Sequence, residues 1–134
     1  MNQVAIAVCP TLEDDELNAL FASAWPAHTP RAYGAVLDRS LAYLAAFVDE
    51  ELVGFVNVAW DGGAHAFLLD PTVHPGFRRR GIGRELVRRA ARLARDRGAV
   101  WLHVDYDPAL RGFYAAVGFR PTEAALLRLS ELER

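Results

Sequence analysis

The chain contains no lysine: all fifteen of its basic residues are arginine. It contains one cysteine, Cys9, which excludes an internal disulfide and a metal site built from cysteines, and no metal is expected elsewhere. Cys9 itself has the character of a small apolar strand residue. Long apolar runs are missing as well. The longest, residues 41–48, is far short of the roughly 20 residues that cross a bilayer. The N-terminus shows no basic region leading into an apolar segment and cleavage site, so a cytoplasmic protein without a membrane partner is expected. Repeats, low-complexity stretches and linkers are also absent, and 134 residues suit a single domain over 1–134 with one sizeable core.

The charge that is present falls unevenly. Residues 1–70 hold ten acids and two arginines, net −8, whereas residues 71–134 hold thirteen arginines and seven acids, net +6, which accounts for the overall −2. The second half therefore suits an anionic ligand and the first a cationic one, with Glu13 to Glu16 and Asp49 to Glu51 as the acids that would draw it.

Strand and helix signals alternate along the chain. Residues 4–8 read as a strand. Thr11 and the acids behind it open a helix through Leu17, Leu20 and Phe21, with the acids at its positive end, and it stops near Trp25-Pro26. Thr29-Pro30 starts a second short helix. Strands over 41–48 and 52–60, joined by an acidic turn, form a hairpin, and Asp61-Gly62-Gly63 turns into a strand over 64–70. Ile82, Leu86, Ala90, Leu93 and Ala94 then recur at helical spacing up to Gly98. A buried strand over 100–104, a helix over 108–117 and a closing strand over 119–129 complete an α/β (α+β) pattern.

Between strand and third helix lies Arg78-Arg79-Arg80-Gly81-Ile82-Gly83-Arg84. Unpaired backbone N–H groups at a helix start attract an anion, glycines let the backbone close on it, and flanking arginines reach phosphate oxygens by charge-assisted bonds. A phosphate-bearing ligand is implied. Arg88, Arg89, Arg92, Arg95 and Arg97 have the simpler reading of a solvated helix face. A P-loop is excluded, because Ile82-Gly83 follows Gly81 where Lys and Ser/Thr must stand. A dinucleotide fingerprint fits poorly, since Leu86 occupies the third glycine's place. Nucleic acid is not the expected partner: the chain is net acidic, and no aromatics interleave the arginines of the helix.

With Val73-His74-Pro75, then Arg78-x-x-Gly81-x-Gly83, an amphipathic helix, a strand, and Phe113-Tyr114-x-x-Val117-Gly118-Phe119, residues 66–120 resemble the GNAT superfamily of acetyl-CoA-dependent N-acetyltransferases. The resemblance implies a mixed, mostly antiparallel central sheet with a splayed parallel strand pair, and helices on both faces. It implies that Arg78, Arg79, Arg80, Gly81, Ile82, Gly83 and Arg84 cradle the coenzyme A diphosphate, and that Val73 pairs with the pantetheine amides. It also implies direct attack of an amine on the thioester, with Tyr114 as the acid for the departing thiolate. By its spacing alone Tyr114 belongs to a core stripe with Leu110, Phe113 and Val117, and it is the motif that points to the acid.

Two departures from the family pattern stand out. Pro71 lacks the N–H that many relatives offer the thioester carbonyl, leaving Thr72 to substitute, and Asp107 replaces a common asparagine. The base is open between His65 and Asp70, with His103, Asp105 and Asp61 behind them, or a relayed water. His74 belongs to the loop motif. Trp25, Tyr33 and Trp60 are candidates for an apolar acceptor wall. The expected activity is acetylation of a small-molecule amine, cationic by the charge of the first half. The alternative is a catalytically silent acyl-CoA-binding module. Dimers are frequent in the family, so a homodimer is also open.

Overall fold

The computed structural model describes residues 3–133, which gather into two compact units meeting at Val104 and Asp105. The first unit is a five-stranded sheet in chain order, β1 (Ala5–Val8), β2 (Ala42–Val48), β3 (Glu51–Trp60), β4 (His65–Val73) and β5 (Trp101–Val104). The first three junctions are antiparallel and the last is parallel. Asp49 and Glu50, both at positive φ, make the two-residue turn between β2 and β3, in the backbone region that matches strand twist.

Helices cover both faces. On one lies α3 (Ile82–Asp96), whose buried residues Ile82, Leu86, Val87, Ala90 and Ala94 repeat at helical spacing. It lies so close to the sheet that a Cβ on Gly54 would stand 3.0 Å from Leu86 Cδ1 and 3.2 Å from Ile82 Cγ2. On the other face α1 (Asp14–Ala24) buries Leu17, Leu20 and Phe21 against Ala45, Leu52 and Phe55. Each of those three side chains contributes about 1.5–3 kcal/mol by leaving water. Gly54 and Phe55 are neighbours on β3, so strand alternation sends one toward each helix.

The acids at the start of α1 are structural. Glu16 accepts the Glu13 N–H at 3.0 Å, and Asp14 accepts the Tyr33 N–H at 2.9 Å. The second helix, α2 (Gly34–Arg39), begins later than Thr29-Pro30 predicts, which leaves residues 25–33 as a loop running back along α1. The strand expected over 100–104 is an edge rather than buried, with Val100 70% and Trp101 53% exposed, because no described strand pairs beyond it.

The second unit holds a 3-10 turn (Pro108–Leu110) leading into α4 (Arg111–Val117). Asp107 caps that turn by accepting the Ala109 N–H at 2.9 Å, a job that needs only the acceptor shared by aspartate and asparagine. The strand expected over 119–129 does not form. Only Thr122 is β-branched in that stretch, Pro121 removes a donor, and the alanines and leucines after it do not alternate with polar residues.

Candidate active site

The site begins where β4 changes character. From His65 to Leu68 the strand is paired on both edges, with β3 on one side and β5 on the other. At Asp70-Pro71 an extra residue bulges against β3, Asp70 takes φ +54, and pairing with β5 has already ended at Leu68 with Val104. The bulge accommodates Pro71, which could not stand inside a doubly paired strand. Beyond it the His74 N–H donates to Val53 at 2.8 Å. Antiparallel alternation therefore turns the N–H and C=O of Val73 to the opposite edge, the one β5 has left. Pro71 faces that same edge without a donor. Thr72 does not replace it: its residue is buried, and its hydroxyl donates to the Asp70 carbonyl at 3.0 Å.

After Val73 the chain makes a 3-10 turn (Pro75–Phe77), fixed by the Gly76 N–H donating to His74 Nδ1 at 3.0 Å. His74 thus serves the loop. Arg78, Arg79 and Arg80 are exposed, Arg79 in the left-handed region and Arg80 over the Phe77 ring at 5.1 Å. Gly81, at φ +78, is the N-cap of α3 and has nothing within 4 Å of where its Cβ would be. The first helical bond runs from the Glu85 N–H to the Gly81 carbonyl, so the N–H groups of Ile82, Gly83 and Arg84 precede it, and no side chain caps them. Farther along, Arg89 pairs with Glu85 at 2.9 Å and Arg97 donates to the Leu41 carbonyl at 3.3 Å, in line with structural and solvated roles.

A cavity of about 480 Å³ opens on the α1 face of the sheet, beside the bulge. Phe21, Trp25, His28, Arg31, Tyr33 and Asp70 are in its wall. Phe21 and Trp25, one helical turn apart, stack with centroids 4.3 Å apart, and His28 and Tyr33 meet Phe21 edge-on. Asn18 holds the loop in place. Its amide nitrogen donates to the Arg31 carbonyl at 2.9 Å and its oxygen accepts the Arg31 N–H at 3.1 Å, two backbone anchors that fix which end of the amide is which. The same oxygen lies 2.9 Å from His28 Nε2 and accepts the Tyr33 hydroxyl at 3.2 Å. His28 must therefore carry its proton on Nε2 to make that contact.

Asp70 lines the cavity and is exposed on it, with protein packed nearby. Desolvation pushes its carboxyl above the ordinary carboxylate range, against the opposing pull of the Arg31 guanidinium. Tyr33 also responds to both groups: burial raises its pKa, Arg31 lowers it, and Asp70 and Asp14 raise it, so Tyr33, Arg31, Asp70 and Asp14 belong to one electrostatic neighbourhood.

In the first unit His65, His103, Asp61 and Trp60 lie outside this wall. His65 and His103 contact each other through Nδ1 and Nε2 at 2.8 Å across β4 and β5, and Phe67 stacks on His103 at 4.5 Å. Asp61 accepts the Gly63 N–H at 2.7 Å, and that bond holds its carboxyl below its usual range. Trp60 donates to the Gly63 carbonyl at 2.8 Å and lines no part of the cavity. At the start of α1, Glu16 and Asp14 are engaged with backbone N–H groups, and Asp70 is the acid in the cavity wall. In the second unit Tyr114 is buried, stacked on Tyr106 at 4.8 Å and met edge-on by Phe113 and Phe119, and desolvation raises its phenol above the ordinary value.

Sequence reasoning had Trp25, Tyr33 and Asp70 but missed Phe21, His28, Arg31 and the clamp at Asn18. One signal was available for Arg31: it is one of only two cations in the acidic first seventy residues.

A mixed sheet that opens at the end of one parallel pair, with a glycine-started helix beside the opening, is the fold of solved acetyltransferases. A GNAT family protein of Streptococcus pneumoniae TIGR4 superposes with TM-score 0.79 at 21% identity, over 94% of this chain and 98% of that one. The aminoglycoside N-acetyltransferase AAC(6')-Iy, solved in complex with CoA, gives 0.76 at 22%, over 96% and 95%. In sequence, residues 10–119 match the acetyltransferase (GNAT) family, and the chain belongs to it. It is 37% identical over 76 residues to a mycothiol acetyltransferase of Mycolicibacterium vanbaalenii, covering 57% of this chain and 25% of that protein. It is 39% identical over 85 residues to the streptothricin acetyltransferase of Streptomyces lavendulae, covering 60% and 44%. The chain thus spans less than half the length of these relatives. Among the described residues no helix is long and apolar enough to cross a membrane.

Proposed function

We propose that the protein transfers the acetyl group of acetyl-CoA to the primary amine of a small molecule that arrives as an ammonium ion, by direct attack within a ternary complex. The observation that carries this reading is the open edge of β4 from the bulge to Val73, running straight into the uncapped start of α3. Val73 supplies a free N–H and C=O for the pantetheine amides. The N–H groups of Ile82, Gly83 and Arg84 take the diphosphate, with Gly81 leaving room and Arg78, Arg79, Arg80 and Arg84 supplying positive charge. Relatives named for mycothiol and streptothricin support a small-molecule acceptor.

The cavity favours Asp70 over His65 as the base, since Asp70 lines it and His65 does not. The aromatic wall and the carboxylate together suit an ammonium group. An alkyl ammonium costs about 4–5 kcal/mol to deprotonate at pH 7, so a nearby acceptor for that proton matters. The amine nitrogen then bonds to the thioester carbonyl carbon, the C–S bond breaks, and the thiolate takes a proton. Tyr114 is the proposed donor. Burial raises its pKa, which makes proton transfer to the thiolate uphill, so its contribution depends on position rather than acidity.

A non-catalytic acyl-CoA-binding module is the second reading. One observation favours it: Pro71 offers no N–H on the open edge, and the Thr72 hydroxyl is committed to Asp70. Release of free thiol from acetyl-CoA, measured against a panel of amines, separates the two. Turnover with at least one amine is expected. Coenzyme A binding without turnover on any of them establishes the second reading.

A further inference from the structure

Asp70 is not alone in the cavity wall. Arg31 projects from the loop that Asn18 clamps at both its N–H and its carbonyl, so the residue's backbone is held by a bidentate amide from α1. The loop spends four hydrogen bonds of Asn18 on His28, Arg31 and Tyr33, which is more order than a connection between two helices requires. The guanidinium forms no ion pair with Asp70 within 4.0 Å among the described residues, yet it acts electrostatically on both Asp70 and Tyr33. An acidic first half has kept one of its two cations for this wall.

A negative group and a positive group that share a cavity without closing on each other match a ligand that carries both signs. We infer, resting on the acetyltransferase reading, that the acceptor is a small zwitterionic amine whose ammonium is taken by Asp70 and whose carboxylate is taken by Arg31, with Trp25 and Tyr33 against its apolar part. A carboxylate suits the place better than a phosphate dianion, because one guanidinium matches one carboxylate in a two-bond fork and Asp70 would repel the second charge. The charge pattern also accounts for a cavity with a single acid in the acidic half: the site selects by sign at two points rather than by bulk negative field.

The test uses matched ligands: an aromatic α-amino acid, its carboxamide and the corresponding decarboxylated amine, titrated by calorimetry into the protein with and without saturating coenzyme A. The amino acid should bind about tenfold or more tighter than the decarboxylated amine, the scale of one charge-assisted contact. In Arg31→Gln that preference should fall to near unity, and Arg31→Lys should keep part of it, having the charge without the fork. Equal or tighter binding of the decarboxylated amine, no binding of either ligand, or an undiminished preference in Arg31→Gln overturns the inference. Failure of the acetyltransferase reading would show instead as absent thiol release with every amine, and the titration without coenzyme A would still decide the zwitterion question.

Discussion

The two halves of β4 make an instructive pair. From His65 to Leu68 the strand has partners on both edges, Ala66 and Leu68 are buried, and its exposed histidine spends its ring on His103. From Leu69 to Val73 it has β3 alone, a bulge, an aspartate at positive φ and a proline. The first half is satisfied structure. The second has spare backbone groups and a desolvated acid, costs that a fold retains where they are used. The proposed site lies where the ladder stops.

The sharpest way to break that comparison is to exchange the two candidate bases. Asp70→Asn should lower kcat/KM about 10²–10⁴-fold, the range for a positioned base, whereas His65→Gln should stay near wild type. If Asp70 is the base, the acid limb of the wild-type profile should report it: burial raises its pKa above the ordinary carboxylate range, activity should fall as pH drops through that raised value, and Asn should abolish the limb. The linked effect on stability has a definite sign. A carboxyl whose folded pKa is raised holds its proton more tightly in the native state, so the native state loses stability as pH rises from the unfolded value through the folded one. At neutral pH Asp70→Asn removes a desolvated charge, and asparagine tolerates the left-handed backbone, so its Tm should equal or exceed that of wild type. Loss of activity with loss of folding would contradict this.

A smaller effect separates the two ends of α3. Gly81 and Gly98 both have positive φ and open space at the Cβ position, so alanine should cost similar stability at each, about 1–2 kcal/mol. Only Gly81→Ala should also weaken coenzyme A binding, by about tenfold, through a methyl group and a shifted backbone at the proposed diphosphate site. Equal affinities in the two variants would detach the glycine step from the ligand. Smaller still is Tyr114→Phe: turnover should slow with acetyl-CoA affinity nearly intact, and unchanged turnover would reduce the phenol to packing.

Much of this was legible in the residues. Periodicity gave α1 and α3, the acidic turn gave the hairpin, and Gly81 marked the start of α3, because each is a local signal. Apart from the strand expected over 119–129, whose own residues argue against it, the misreadings are non-local. Residues 100–104 look like a buried strand, and only the sheet order makes them an edge. Thr29-Pro30 has the look of a helix start, but Asn18, more than ten positions earlier, claims Arg31 for a loop. The bulge at Asp70 had a proline as its hint and no periodic mark. The cavity needed the fold, since its wall joins α1, the following loop and the end of β4.

Amide hydrogen exchange with and without coenzyme A reads the open edge of β4 and the start of α3 residue by residue. Added coenzyme A should slow exchange at Val73, Ile82, Gly83 and Arg84 and leave Ala66 to Leu68, already paired on both edges, unchanged. Protection that bypasses the open half of β4 and the start of α3 would contradict the account.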